Sequence, residues 1–335
     1  MESKNKNKIP DPRAMEKMTS DLSRLVQGKD FKSKEELKAY LDGLVGQELP
    51  EAPPKSAIQF AQDIMYEAWE AETKKERIKL AKEALSISPD CADAYNLLAE
   101  EEAKTLKEAT EFYRKGMEAG RRTLGEEIFK NNDGHFWGYT PSRPYMRSRL
   151  GYMECLWEAG AYDEAIGHAR EMLKLNTNDN QGIRYILIAY LADLGRYDEL
   201  DEFLNKGEHK DDCVAEWFYT RALLSFVKEG ASDKANNDLK EALKSNQYVP
   251  EYLTGKKPIP QFLPDRITIH GKDEGFCYAS RYLEAWKKVS GAIDWLREKA
   301  QIKIIPKAGR NEPCPCGKVD PKTGKPMKYK KCCGA

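Results

Sequence analysis

Four of the eight cysteines lie close together near the end of the chain, as Cys-Pro-Cys at 314–316 and Cys-Cys at 332–333. A segment this short cannot bury a core of its own, so something else must order it. Four thiolates are a ligand set that tetrahedral zinc takes, at about 2.3 Å each, and metal binding then supplies folding free energy. The spacing therefore predicts a zinc site with the ligands Cys314, Cys316, Cys332 and Cys333.

The same cysteine cluster is also compatible with free thiols and with disulfides in an exported protein. Adjacent cysteines form strained disulfides, and the opening MESKNKNKIPDPRA lacks the apolar stretch of an export signal. A catalytic zinc needs an open coordination position and a nearby general base. Four thiolates close the coordination shell and residues 309–335 contain no histidine, so we expect a structural or recognition role.

The sequences GRNEPCPCG (309–317) and KYKKCCG (328–334) resemble the SEC-C motif, the zinc-binding C-terminus of the SecA preprotein translocase ATPase. The resemblance implies zinc, with iron as an alternative metal, and contacts with a chaperone or the ribosome. Fifteen residues separate Cys316 from Cys332, which is longer than the usual glycine-lysine link. We expect an enlarged loop, VDPKTGKPM, to absorb the difference.

The segment around these cysteines is basic. Between 303 and 331 there are nine lysines and arginines against two acids, Glu312 and Asp320. Lys328, Lys330 and Lys331 are therefore candidate contacts for an acidic protein surface or ribosomal RNA. A rim that is merely solvated is the alternative.

The elements that position this tail are helical. Glycines that end helices recur at Gly160, Gly195 and Gly230, at intervals of 35 residues, close to the roughly 34-residue tetratricopeptide unit of two antiparallel helices. Ala165, Leu200 and Ala235 follow each glycine by five positions, where two helices of a pair must approach closely. The fold class predicted is all-α, a tetratricopeptide-like helical-hairpin array with a small C-terminal zinc knuckle.

Three regions follow from the pattern. Residues 1–56 form a helical extension and linker, with serine caps at Ser20 and Ser33, which we expect to be loosely docked. Residues 57–300 form the array, with about five helix pairs over 57–248, an interruption at 121–145, and a closing cap after the proline-rich segment 248–271. Residues 301–335 form the knuckle.

The stretches GHFWG (134–138), RPYMR (143–147), YVPEYL (248–253) and WKKVSGAIDWL (286–296) resemble the suppression of tumorigenicity 7 family, which supports these boundaries. Stacked helix pairs form a groove lined by the first helix of each pair. The candidate partner-binding residues in that groove are Arg147, Glu154, Trp157, Tyr185 and Trp217.

Nothing in the sequence predicts an active site. The four histidines lack metal-ligand spacing, and the common nucleotide-binding, zinc-protease and nucleophile motifs are absent. Lys plus Arg equals Asp plus Glu at 55 each, and no apolar run reaches the roughly 18 residues that span a bilayer. We therefore expect a cytoplasmic, non-enzymatic adaptor that binds a protein in its groove, while the knuckle docks a second protein or the ribosome.

Three alternatives remain. The basic tail binds RNA, or the insertion around His135 forms the pocket of an uncharacterised enzyme, or the metal only stiffens the C-terminus.

Overall fold

The computed structural model describes residues 12–27, 29–47, 49–50, 52–131, 134–264, 266–302, 310–313, 318–321 and 323–331. Its regular elements over these ranges are helices, without a β-strand, as the repeat pattern predicts. Contacts divide the chain into two compact units that meet at Leu187 and Ile188. No helix in the described ranges combines the length and the apolar character that crossing a bilayer requires.

The first unit begins with two helices that precede the array, followed by three packed helix pairs and two single 3-10 turns between the second and third pair. The helices are α1 (Pro12–Gln27), α2 (Lys34–Leu44), α3 (Ala57–Glu70), α4 (Lys74–Ile87), α5 (Ala92–Glu101), α6 (Leu106–Asn131), α7 (Arg143–Glu158) and α8 (Tyr162–Leu175), with 3-10 turns at Phe136–Gly138 and Thr140–Ser142.

The second unit continues the alternation of first and second helices and closes with three further helices. The helices are α9 (Ile183–Asp193), which crosses the division, α10 (Tyr197–Lys206), α11 (Ala215–Glu229), α12 (Asp233–Ser245), α13 (Val249–Leu253), α14 (Lys272–Lys288) and α15 (Ala292–Lys299). The first ten array helices, α3 to α12, occupy the place of the five predicted pairs.

The turn glycines behave as their period predicts. Gly160, Gly195 and Gly230 have φ of 80°, 67° and 66°, the left-handed region that glycine adopts without a Cβ penalty. The residues five positions later, Ala165, Leu200 and Ala235, are all buried. Small or apolar side chains at these points suit the close approach of the two helices of a pair.

The core of the first unit forms because small and large apolar residues alternate on facing helices. Ala61, Met65 and Ala68 of α3 pack with alanines of α4 and with Leu97 of α5. Side-chain hydroxyls at Ser56 and Thr73 accept hydrogen bonds from Gln59 N and Glu76 N and so fix the starts of α3 and α4.

Two predicted features differ from the structure. The interruption expected from residue 121 begins later, because α6 continues to Asn131 past a kink at Gly125, where φ is 71° and ψ 160°. The proline-rich segment 248–271 does break the helices apart from the short α13, and α14 begins directly after it at Lys272. At the other end, Ser20 lies inside α1 and is not a cap, whereas Ser33 does cap α2 by accepting from Glu36 N at 3.2 Å.

Part of the C-terminal tail forms a small hairpin. Met327 N donates to Lys318 O and Asp320 N to Lys325 O, both at 2.9 Å, around a turn in which Gly324 has φ of 65°. Pro313 also pairs with Lys328. The four predicted zinc ligands, Cys314, Cys316, Cys332 and Cys333, lie outside the described residues.

Candidate protein-binding site

The first helices of the three pairs in the first unit present polar side chains on one shared face. On α3 these are Gln62, Asp63, Tyr66 and Trp69, whose spacing of three and four positions places them on one side of a helix. Contributions from α5 and α7 complete the face, namely Asp93, Asn96, Arg143, Arg147 and Ser148. Helix α1 lies against this face and contacts α3 and the 3-10 turn before α7.

Asp93 is the centre of the charge network on this face. Its carboxylate is fully buried and accepts from Arg147 Nε at 2.8 Å and Arg147 Nη2 at 2.6 Å. Gln62 Nε2 and Asn96 Nδ2 donate to it at 2.9 Å and 3.1 Å. Four N–H donors thus compensate the burial of one negative charge.

Arg147 shares its guanidinium between two carboxylates. Besides Asp93, it donates from Nη1 and Nη2 to Glu16 of α1, at 3.0 Å and 2.9 Å. Burial lowers the pKa of Arg147, but the Asp93 and Glu16 carboxylates outweigh it, so the pKa lies above its usual value. The guanidinium therefore stays charged and holds α5 and α1 together on the surface of α7.

Glu16 reaches into the site from α1. Only 3% of this residue is exposed, and Arg143 lies 3.6 Å from its carboxylate as a second cation. A buried carboxylate with two arginines around it is a charge-assisted contact of the stronger kind. Glu16 is thus an anchor of α1 and not a surface side chain.

A second anchor lies two turns further along α1. Arg24 makes a two-pronged ion pair with Asp63 of α3, at 2.8 Å and 2.5 Å, and the hydrogen bond to Asp63 raises the pKa of Arg24. At the other end of α1, the Arg13 guanidinium lies 4.4 Å from the Trp69 ring centroid. The extension that we expected to be loosely docked is therefore held at three points.

Helix α1 turns its polar side towards the protein. Glu16, Ser20, Ser23, Arg24 and Gln27 line the space beneath the helix. Met15 and Met18, by contrast, are 68% and 47% exposed. Leu22, Leu25 and Val26 are half-buried, so the docking of α1 combines limited apolar burial with specific ion pairs and hydrogen bonds.

A cleft of about 250 Å³ lies between α1, α3, the end of α6 and the turn at Thr140–Ser142. Hydroxyl and amide side chains line it together with the charged Glu16, Arg24 and Asp90 and several apolar residues, and neither cysteine nor histidine is among the lining residues. Burial raises the pKa of the Tyr66 phenol at its base. The cleft offers hydrogen bonds to a polar ligand, and its two carboxylates, Glu16 and Asp90, are each paired with an arginine.

The structure places the predicted groove residues in different surroundings. Arg147 belongs to the network described above, and Glu154 is exposed further along α7. Trp157 is half-buried against Tyr162, with ring centroids 4.6 Å apart. Tyr185 is half-buried, and its hydroxyl accepts from Arg184 Nη2 at 2.6 Å.

Trp217 is fully buried, and its Nε1 donates to Leu204 O at 3.3 Å, so in this structure the indole belongs to the core of the second unit and faces no groove. Among the tail residues, Lys328 and Lys331 are exposed and Lys330 is partly exposed. His135, the candidate for an enzyme pocket, is exposed and does not line the cleft.

Sequence reasoning missed Glu16, Arg24, Asp63 and Asp93. One signal was present in CADAYNLLA (91–99), where Asp93 and Asn96 interrupt an otherwise apolar stretch of helix. Polar residues in a helix that is buried on most sides need partners. The partners themselves are too distant along the chain for a local pattern to show them.

Comparison with known proteins identifies relatives of the array. A family model described as "ST7 protein" matches residues 54–313. The suppressor of tumorigenicity 7 protein-like of Bos taurus is 29% identical over 265 residues, covering 70% of this chain and 46% of the bovine protein. The ST7 homolog of Caenorhabditis elegans is 28% identical over 269 residues, covering 70% of this chain and 49% of the worm protein.

The chain thus spans just under half the length of these curated relatives. Among solved structures, it is similar to YrrB, described as a TPR protein with an unusual peptide-binding site. That similarity covers 56% of this chain and 84% of YrrB, with a TM-score of 0.39 and 21% sequence identity.

Proposed function

The chain belongs to the ST7 protein family, and we propose that it is a non-enzymatic adaptor which binds a helical segment of a protein partner on the face of α3, α5 and α7. The observation that carries this proposal is the docking of α1, in which Glu16 and Arg24 are bound through buried ion pairs. This face already accommodates a helix by its polar side chains. Binding of a helix in a groove is a general mode of peptide recognition, usually through apolar contacts, whereas the contacts of α1 are largely ion pairs.

The composition of the cleft supports binding over catalysis. Its hydroxyls and amides lack an adjacent histidine or cysteine, and acid–base or nucleophilic chemistry needs a base placed within hydrogen-bond distance of a reacting group. The two carboxylates at the cleft are held in ion pairs, Glu16 with Arg147 and Asp90 with Arg122. We therefore assign the cleft to the recognition of a protein partner. We separately propose that the protein acts in the cytoplasm.

Site-specific photocrosslinking tests the adaptor proposal. Tyr139, at the cleft, is 38% exposed, and Tyr162, on α8, is 41% exposed, so the two positions are matched in residue type and exposure. With p-benzoylphenylalanine at either position of the full chain in cells, we expect a defined protein adduct from position 139 only. Adducts of equal yield from both positions, or none from 139, contradict the proposal.

We further propose that the tail is a zinc knuckle which docks a second protein or ribosomal surface. Support comes from the cysteine pattern and from the backbone pairing of flanking residues, since Pro313 pairs with Lys328 and Lys330 N donates to Arg310 O at 3.1 Å. A zinc ion held by Cys314, Cys316, Cys332 and Cys333 would stabilise a segment with little core of its own. Iron is the alternative metal.

Metal analysis of the purified chain tests the knuckle. We expect about one zinc per chain, lost in the double variant Cys332→Ser with Cys333→Ser. Cys213→Ser is the matched control, because Cys213 is an exposed free cysteine outside the cluster, and it should retain the metal. Loss of metal in neither variant, or in both, contradicts the assignment.

The exposure of Lys328 and Lys331 also favours a second candidate, binding of RNA through the tail. Phosphate contacts weaken steeply with salt. Replacement of both lysines by glutamate should then abolish RNA binding and leave zinc content unchanged. A salt-independent affinity would rule out this candidate and leave protein docking as the role of the tail.

A further inference from the structure

The contacts of α1 resemble those of a bound ligand more than those of a core element. Among the side chains of α1 that the structure describes, the buried ones are Glu16 and Arg24, both charged, whereas Leu22, Leu25 and Val26 are half-buried. The next helix along the chain, α2, has no buried residue. The polar contacts of Glu16 and Arg24 are therefore the most buried contacts that hold α1 in place.

Removal of α1 would expose a defined set of groups that each lose a partner. Arg143 and Arg147 would lose Glu16, although Arg147 keeps Asp93, and Asp63 would lose both prongs of Arg24. The Trp69 ring would lose the Arg13 guanidinium. A helix with matching charges would replace the water around these groups with charge-assisted hydrogen bonds, so the bared face favours an occupant that restores all three contacts.

The spacing of these groups specifies the occupant. Glu16 and Arg24 are eight residues apart, which is about 12 Å along a helix. Arg13 precedes Glu16 by one turn on the same side. A helix that restores the contacts therefore carries arginine, then an acid three positions later, and arginine eight positions after the acid.

We propose that the face beneath α1 binds a partner helix with this charge pattern, and that α1 is the resident competitor for the same face. This inference rests on the proposed protein-binding function and names the class of partner. A tethered helix competes at an effective concentration in the millimolar range. The apparent affinity of the partner is its intrinsic affinity multiplied by the fraction of molecules in which α1 is undocked.

The probe for the test is a fluorescent synthetic peptide with the sequence of residues 12–27, measured against the full-length chain. In the Glu16→Lys chain, the chain's own α1 is repelled by Arg143 and Arg147 and leaves the face open. We expect this chain to bind the peptide at least about tenfold more tightly than the wild-type chain does. Hydrogen exchange should show α1 deprotected and α5 and α7 still protected, which confirms that the array remains folded.

Peptide variants establish the specificity. A peptide with Glu16→Lys should not bind the opened chain. A peptide with Lys17→Gln should bind as the unmodified peptide does, because Lys17 is 45% exposed and pairs with Asp21 of α1 itself. Equal affinities of these two peptides overturn the proposal.

A charge exchange at the second anchor gives an independent check. Adding Asp63→Arg to the Glu16→Lys chain should abolish binding of the unmodified peptide, and a peptide with Arg24→Asp should bind again. Peptide affinity that is no higher in the opened chain, or that ignores the charge at position 63, overturns the inference. The adaptor proposal is judged separately, by the crosslinks at Tyr139.

Discussion

Glu16 and Arg147 lie 131 positions apart in the sequence and pair through two hydrogen bonds of 2.9 Å and 3.0 Å. The same guanidinium binds Asp93, so one arginine joins three helices. Truncation of one member of such a buried network leaves the others uncompensated. The network therefore gives specificity to the position of α1 and makes the first unit sensitive to single changes of charge.

Asp93→Asn should destabilise the protein strongly. The carboxylate is fully buried and accepts from Arg147, Gln62 and Asn96. A neutral amide leaves part of the Arg147 charge uncompensated, and we expect a loss of about 3 kcal/mol in the free energy of unfolding, measured by urea denaturation.

Asp90→Asn is the control for this change. Asp90 pairs with Arg122, but the two side chains are 38% and 55% exposed, so the variant should cost less than about 1 kcal/mol. Similar losses in the two variants would mean that the network around Asp93 has no special role in stability.

The helices were predictable from the sequence because their signals are local. Each of the glycines at 160, 195 and 230 is followed five positions later by a small or apolar residue, and the structure confirms both features. The kink of α6 was not predicted, because a single glycine is tolerated inside a helix at a cost of about 1 kcal/mol and does not by itself mark a kink.

The charge network was not predictable, because its members are distant in sequence. The apolar surroundings of Asp93 indicate that it needs a partner, and Arg147 was a candidate groove residue, but only tertiary packing reveals that the two pair with each other. The metal ligands are the opposite case. Cys314 and Cys316 are conspicuous in the sequence, yet they lie outside the described residues, and zinc binding stays a prediction.

Glu274 should be needed for the start of α11. It is 2% exposed and accepts from Ala215 N at 3.1 Å, and from Asn246 Nδ2 and His270 N at 2.7 Å. In Glu274→Gln an NH2 group replaces one of the two accepting oxygens, so at least one of these N–H groups loses its acceptor. We expect this to lower the free energy of unfolding by about 2 kcal/mol. Hydrogen exchange at the first turn of α11 and the urea midpoint both report the loss.

Glu284→Gln serves as the comparison for Glu274. Its side chain is 68% exposed and pairs only with the nearby Lys287 among the contacts described, so the urea midpoint should stay within error of the wild type. If Glu274→Gln were equally silent, the capping role would be refuted.

Acid should weaken the first unit through His168. Burial, reinforced by the Arg149 charge, lowers the pKa of His168 to about 4, whereas the unfolded chain titrates near 6.5. Below pH 6.5 the unfolded state binds the proton and the folded state does not, so stability falls between pH 6.5 and 4. Allowing for solvent screening of this partly buried ring, we expect a loss of about 1 kcal/mol from pH 7.5 to 5.

His168→Gln should reduce that loss, measured as the difference between urea midpoints at the two pH values. His135→Gln, which removes an exposed imidazole, should leave the pH dependence as it is. A His168→Gln profile that overlays the wild type would exclude His168 as its source.

Two glycines in neighbouring helices should respond to alanine in opposite directions. A Cβ at Gly151 of α7 would lie 2.3 Å from the Tyr113 ring of α6, so Gly151→Ala must push these helices apart, and we expect a loss of about 1–3 kcal/mol. Gly167 lies in α8, and the place that its Cβ would take has no neighbouring atom within 4 Å. Gly167→Ala should therefore gain up to about 1 kcal/mol from helix propensity. Thermal and urea unfolding of both variants decide the point, since two changes of the same sign would show that the close approach of α6 and α7 does not depend on Gly151.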